Sequence, residues 1–331
     1  MNKPYPLLFT SLADPFERKS WGGSRLVELL KKDLPGGVRI GESWDISDYP
    51  GAETCVLNGP LAGTSLHHLV ETMTDTVVGD PTILQGGRFP LLVKYIDANH
   101  TLSVQVHPSD EYASEHENPG VGKKEAWYIM HVEPGAKLIR GVTPGSNREN
   151  FAEAIAKGEL DPRLHTIEPS PGDIILIPWG MVHAIGAGIV LAEIQQTSDI
   201  TYRVYDWNRA NDHGEPRRLH IEKALDVIDF KPPAADTCKL RPLEGNGPSK
   251  RFEAVRCDKF VIETIKLAGR IDDAPPPGRF LILNVVKGDA LLEANGDQVP
   301  LPFGSTVLIP AALPGYTLQG DGATVLRSYV P

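Results

Sequence analysis

Proline and glycine interrupt this chain at close intervals, and that punctuation restricts its fold more than any other feature. The 29 prolines and 32 glycines fall mostly between short apolar runs rich in β-branched residues. "PLLVKYI", "EAWYIM", "DIILIP", "IVLAEIQQ", "FVIETIKL", "RFLILNVV" and "STVLIP" are examples. Runs of this length between turn residues predict antiparallel sheet, as a sandwich or a barrel. Amphipathic helical spacing occurs in three places only and predicts helices over 24–32, 148–160 and 218–230. The stretch 231–250, "KPPAADTCKLRPLEGNGPSK", is rich in proline and polar residues and reads as a linker. It divides the 331 residues into units 1–235 and 250–331, in keeping with the domain number expected for this length.

One segment is echoed. "GDIILIPWGMVH" at 172–183 and "GSTVLIPAALPGY" at 304–316 share a glycine, a five-residue strand, a proline and a turn. Only the first ends on a histidine. A duplicated barrel with one chemically equipped copy would leave this pattern, although glycine–strand–proline also recurs by chance in β-rich chains.

Charge and cysteine content exclude several classes of function. A formal net charge of −10 argues against nucleic-acid or anionic-membrane surfaces, which select basic patches. An anionic substrate therefore needs a local cluster of cations or a metal. Three widely spaced cysteines, Cys55, Cys238 and Cys257, make neither a disulfide framework nor a metal knuckle, so a cytoplasmic location is expected. The first twenty residues lack an apolar signal core, and no run approaches membrane-spanning length.

The stretch "LSVQVHPSDEYA" from Leu102 carries the first chemical signal. In a strand, side chains alternate between faces, so Ser103, Gln105 and His107 align opposite Leu102, Val104 and Val106. A lone strand histidine is usually a hydrogen-bonded core residue. Here Glu125 in "GKKEAWYIM" and His183 after "PWGMV" add a carboxylate and a second imidazole from separate strands. Two imidazoles, a carboxylate and an amide oxygen suit Zn²⁺ and also accommodate Mn²⁺, Fe²⁺, Co²⁺ or Ni²⁺. Lys94 interrupts an apolar run, where a charge is costly unless it is paired or faces a cavity. Lys123, Glu193 and Arg203 add further charge near the same elements, and such convergence marks a site. Glu193 and Gln195 share a strand face. "GVGKKE" does not fit the phosphate-loop pattern, and GxSxG, HExxH and GxGxxG do not occur.

Together these residues resemble a known family. "GDIILIPWGMVH" is similar to the second sequence motif of cupin barrels. "GESWDIS", "PLLVKYIDANHTLSVQVHPSD", "GKKEAWYIM" and "MVHAIGAGIVLAEIQQTSDITYRVYDWNR" resemble type I mannose-6-phosphate isomerases, most closely the short bacterial form. The resemblance runs from about Trp21 to Asp226 and is looser beyond. It implies a mainly β fold of two cupin-like, jelly-roll barrels with a few short helices. The metal-binding barrel would occupy 1–235 and a metal-free barrel 250–331. It further implies one Zn²⁺ per chain on Gln105, His107, Glu125 and His183. Arg203, Lys123, Glu193 and Asp199 would form the catalytic group, and Trp21, Glu42, Lys94 and Ser103 would bind the substrate. The implied reaction interconverts mannose 6-phosphate and fructose 6-phosphate through an enediol, in a monomer or homodimer. Another metal-dependent cupin enzyme, such as an epimerase or oxygenase, would not need so many phosphate-binding groups. A sugar-sensing cupin would not need the acid and base residues. Lys124 stands where many relatives have a smaller residue, and the resemblance gives it no role.

Overall fold

The computed structural model describes residues 3–16, 20–118, 120–207, 209, 217–243 and 247–331. The apolar runs become strands, as their alternation predicts. One antiparallel sheet of six strands runs in the order Ile174–Ile177, Glu125–Val132, Ile189–Gln196, Leu91–Ala98, Glu42–Ile46, Leu12–Ala13. A second sheet has the order Leu164–Ile167, Leu138–Val142, His183–Ile185, Val104–Val106, Tyr202–Tyr205. Ile96, Trp127 and Leu191 of the first sheet pack with Leu138, Ile167 and Ile185 of the second in one buried cluster. The two sheets therefore form a jelly-roll-like sandwich with its polar cleft between them.

A third sheet of nine strands is built mainly from residues beyond 240. Its long strands are Val261–Asp273, Leu281–Lys287 and Tyr316–Tyr329. Alternation sorts their apolar residues onto two faces. Leu281, Leu283, Val285, Val325 and Leu318 fill the interior of this unit. Ile282, Val286, Leu308 and Leu326 instead join Leu91, Val93, Tyr95 and Ala126 in a core shared with the six-stranded sheet. Leu91–Ala98 and Ile189–Gln196 are consequently buried at every position. One of their faces looks into the cleft and the other onto the C-terminal unit. Strand Leu7–Leu8 belongs to the nine-stranded sheet, where Leu7 pairs with Leu308 and Leu8 with Val307.

The echoed segments prove structurally alike. Ile174–Ile177 and Thr306–Ile309 each follow a glycine with positive φ, 99° at Gly172 and 88° at Gly304. At Gly304 a side chain would also press on Leu30, with an added Cβ only 3.0 Å from existing atoms.

The predicted helices form, but shorter, as Arg25–Glu28, Arg148–Lys157 and Ile221–Val227. The first stops early because the chain turns so that buried Lys32 can pair with Asp45 and donate to the Gly304 carbonyl. The second stops at Gly158, which takes the left-handed conformation at φ 70°. Helices Leu66–Thr72, Thr74–Val77 and Asp110–His116 also form, each too short for periodicity to announce it. Parts of the expected linker are tied down: Cys238 N–H donates to Ile174 O at 2.7 Å, and Arg241–Pro242 pairs with Glu253 and Phe252.

Candidate functional site

Strand pairing assembles the metal-ligating candidates. His183 and Gln105 are direct partners across two antiparallel strands, and His107 follows the end of Val104–Val106. Glu125 opens a strand of the facing sheet. The Nδ1 of each histidine lies 2.8 Å from a carbonyl oxygen, that of Ile200 for His107 and that of Met181 for His183. Each carbonyl accepts a hydrogen bond from Nδ1–H, so each imidazole turns Nε2 towards Glu125. His107 Nε2 lies 3.4 Å from Glu125 Oε2, and His183 Nε2 lies 3.3 Å from Oε1. The Gln105 amide is 3.2 Å from His183 Nε2.

The ligating atoms of His107, Glu125 and His183 lie within 4.8 Å of one another, and all three residues are buried. His107 Nε2 and both Glu125 oxygens lack a hydrogen-bond partner among the described residues, although the Lys123 ammonium is 3.1 Å from Oε2. Buried polar atoms left in this state are costly. A divalent cation between them would satisfy all three, so the donor set fits a metal. Protonation agrees: burial, reinforced by the Lys123 charge, pushes His107 down to about 3. Burial likewise lowers His183. Both are then the neutral imidazoles that metal coordination requires. Burial opposes ionisation of Glu125, but the Lys123 ammonium beside it holds its carboxyl well below the usual range.

Above this cluster opens a cavity of about 320 Å³. Trp21, Glu42, Lys94, Ser103, Gln105, Lys123, Glu125, Glu193, Asp199 and Arg203 all line it. His107 and His183 reach it through Glu125 and Gln105, which they touch. Every candidate named from the sequence thus converges on one place.

Lys94 is buried, 3.6 Å from Glu42 and 3.7 Å from Asp199, with its ammonium over the Trp44 ring. Glu42 also accepts from Trp44 Nε1 at 2.8 Å. Burial and the nearby Glu125 raise the Glu193 carboxyl, which accepts from Trp127 Nε1 at 3.0 Å. Burial opposes the Lys123 charge, but Glu125, Glu193 and Asp199 together raise its pKa. Arg203 pairs with Gln105 across neighbouring strands and donates from Nη1 to the Arg218 carbonyl at 3.1 Å.

The cavity also has walls that sequence reasoning did not name. Trp127 lies two residues beyond Glu125, so counting by two along that strand places it on the same face. Arg217 and His220, which precede helix Ile221–Val227, line the cavity as well. Arg217 makes two hydrogen bonds to Asp206, at 2.7 and 2.9 Å. Phe16 and Thr201 arrive from loops and carry no periodic signal.

Residues 9–135 match the family model "Phosphomannose isomerase type I, catalytic domain", and 250–330 match "Mannose-6-phosphate isomerase, cupin domain". The "Probable mannose-6-phosphate isomerase GmuF" of Bacillus subtilis is 38% identical over 92% of this chain and 94% of its own. The mannose-6-phosphate isomerase of Streptococcus mutans is 34% identical over 94% of this chain and 95% of its own. Among solved structures, the mannose 6-phosphate isomerase of Bacillus subtilis superposes with a TM-score of 0.87. It is 33% identical and covers 98% of this chain and 99% of its own.

Proposed function

This chain belongs to the type I mannose-6-phosphate isomerase family, and from that premise we propose how its cleft interconverts mannose 6-phosphate and fructose 6-phosphate. The protein is an aldose–ketose isomerase of cupin fold.

His107, Glu125, His183 and the Gln105 amide hold one Zn²⁺. The observation that carries this is the pair of histidines, each anchored through Nδ1 to a carbonyl and facing the buried Glu125 carboxylate through Nε2. When bound, the cation supplies Lewis-acid stabilisation of charge on the sugar oxygens.

Isomerisation moves a proton between C2 and C1 of the sugar through an enediol. Glu193 suits the proton-carrying role, because its raised carboxyl exchanges protons nearer neutrality than an exposed glutamate. Lys123 stays an ammonium and donates to the sugar oxygens on which charge develops. Asp199, at the mouth beside Lys94, is the further acid or base. Arg203 and Ser103 offer charge-assisted and neutral hydrogen bonds to the phosphate. Trp21, Glu42 and Lys94 shape and orient the sugar side of the cleft.

The division into 1–235 and 250–331 follows this chemistry, since every proposed site residue lies in the first part. The unpaired cysteines and a phosphorylated hexose substrate fit a cytoplasmic enzyme. The test is fructose 6-phosphate formation followed by a coupled assay, with metal content measured on the same samples. Activity should vanish on chelation and return with Zn²⁺ in proportion to occupancy. Full activity in metal-free protein would overturn the reading.

A further inference from the structure

Lys124 is the member of "GKKE" to which the reaction gives no task, and it does not line the cavity. Its ammonium lies 4.0 Å from the centre of the Trp179 ring and pairs with Asp258. Asp258 and Lys259 sit in the turn 257–260 between strands Lys250–Arg256 and Val261–Asp273, so they belong to the C-terminal unit. Lys259 lies 3.5 Å from Asp258 and 2.6 Å from Asp110. The charges thus alternate Lys124, Asp258, Lys259, Asp110 across the seam between the two units.

This line of charges ends on the backbone that carries the site. Asp110 Oδ2 takes Lys259, while Oδ1 accepts from Gly122 N–H at 2.8 Å and from the Gln196 side-chain amide at 3.0 Å. The oxygen of that amide accepts from Lys124 N–H and Trp179 Nε1–H, both at 3.0 Å. Lys123 N–H donates to Pro108 O at 3.2 Å. Three successive amides, 122 to 124, are therefore held by groups tied to Asp110 or to the segment just after His107. Gln196 is fully buried, so it has little freedom to find another arrangement. Lys259 fixes Asp110 from the side opposite the amides, which orients Oδ1.

We propose that Asp258 and Lys259 of the C-terminal unit are positioning residues of the active site. They act through Asp110, Gln196 and Lys124 to hold the backbone on either side of Lys123, and so aim Lys123 and Glu125 into the cleft. This rests on the reading of Glu125 as a metal ligand and Lys123 as a group that meets the substrate. The C-terminal unit then supplies alignment to a cleft that, among the described residues, none of its own side chains line. Small displacements of reacting groups carry large rate penalties.

A second ion pair across the same seam provides the control. Arg279 and Asp80 lie 3.0 Å apart with side-chain exposures of 22% and 34%, against 23% and 31% for Lys259 and Asp110. Neither Arg279 nor Asp80 lines the cleft. In zinc-loaded enzyme, Lys259→Met should lower kcat about tenfold and leave KM within about twofold. It should also lose zinc to a chelator several-fold faster, and Lys259→Arg should recover most of both. Arg279→Met should change thermal stability to a similar extent and leave kcat and zinc release as in the parent. Equal effects of Lys259→Met and Arg279→Met on kcat and zinc release would overturn the proposal. Glu125→Ala separates this from failure of the site reading. Zinc retained by Glu125→Ala overturns the site and the proposal together. Zinc lost there, with unchanged kcat in Lys259→Met, overturns the proposal alone.

Discussion

Lys94 and Glu193 are direct partners across neighbouring antiparallel strands, both almost wholly buried, yet each takes its close contacts elsewhere. Lys94 turns to Glu42 and Asp199, and Glu193 to the indole of Trp127. The strand pair thus presents a cation and an acid side by side at the cleft, without one consuming the other.

The first prediction follows from that arrangement. Lys94→Met keeps the stem of the side chain and removes a charge beside two carboxylates. The mutant should bind mannose 6-phosphate about 10- to 100-fold more weakly, as expected for a lost charge-assisted contact of roughly 1.5–3 kcal/mol. A KM unchanged from the parent would show that Lys94 serves only the fold.

The proposed metal site has a direct test by substitution. Purified protein should carry about one zinc per chain, measurable by elemental analysis. His107→Ala and His183→Ala should each lower it severalfold, and the double mutant should be essentially metal-free. Full occupancy in the double mutant would sink the ligand assignment.

The phosphate-binding role proposed for Arg203 can be told apart from a role in the chemistry. Arg203→Ala should raise KM for the phosphorylated sugar by roughly 10- to 100-fold, while free mannose, a poor substrate in either case, changes little. Equal proportional loss on both sugars would place Arg203 at the reacting carbons.

Leu283 is completely buried within the C-terminal unit. Leu283→Ala should cost about 2–5 kcal/mol of stability, read from denaturant unfolding. Zinc content and kcat per folded molecule should stay near the parent values. A large fall in kcat without loss of stability would contradict a packing role for this side chain.

The clustering of the candidate ligands was legible because a strand repeats every two residues. An amide and an imidazole at Gln105 and His107 could share a face only by looking into something polar, and His183 pairs directly with Gln105. Trp127 was readable by the same count from Glu125. Arg217 and His220 were not, since they enter the cleft from irregular backbone ahead of a short helix, where no periodicity directs a side chain. Lys124 was opaque for another reason. Its partner Asp258 lies in the other unit, and no local pattern links positions so far apart in the chain. Helix ends were missed where tertiary contacts won: Lys32 leaves its helical register to reach Asp45 and Gly304.

Strand Leu7–Leu8 has a consequence for how the molecule is made. Its partners are Leu308 and Val307, so during synthesis it leaves the ribosome long before the strand it pairs with exists. Its sheet pairing must wait until the intervening chain has been translated, although Leu8 can already bond to Leu57 and Asn58. Both of its leucines are apolar, and an unpaired apolar strand invites the wrong neighbour. The same pairing covers strand Thr306–Ile309 on the side away from Leu281–Lys287. A fragment beginning at 250 would therefore bare that edge, and loss of residues 5–10 would strip a strand from the C-terminal sheet and, at the same time, break their hydrogen bonds to residues 55–61.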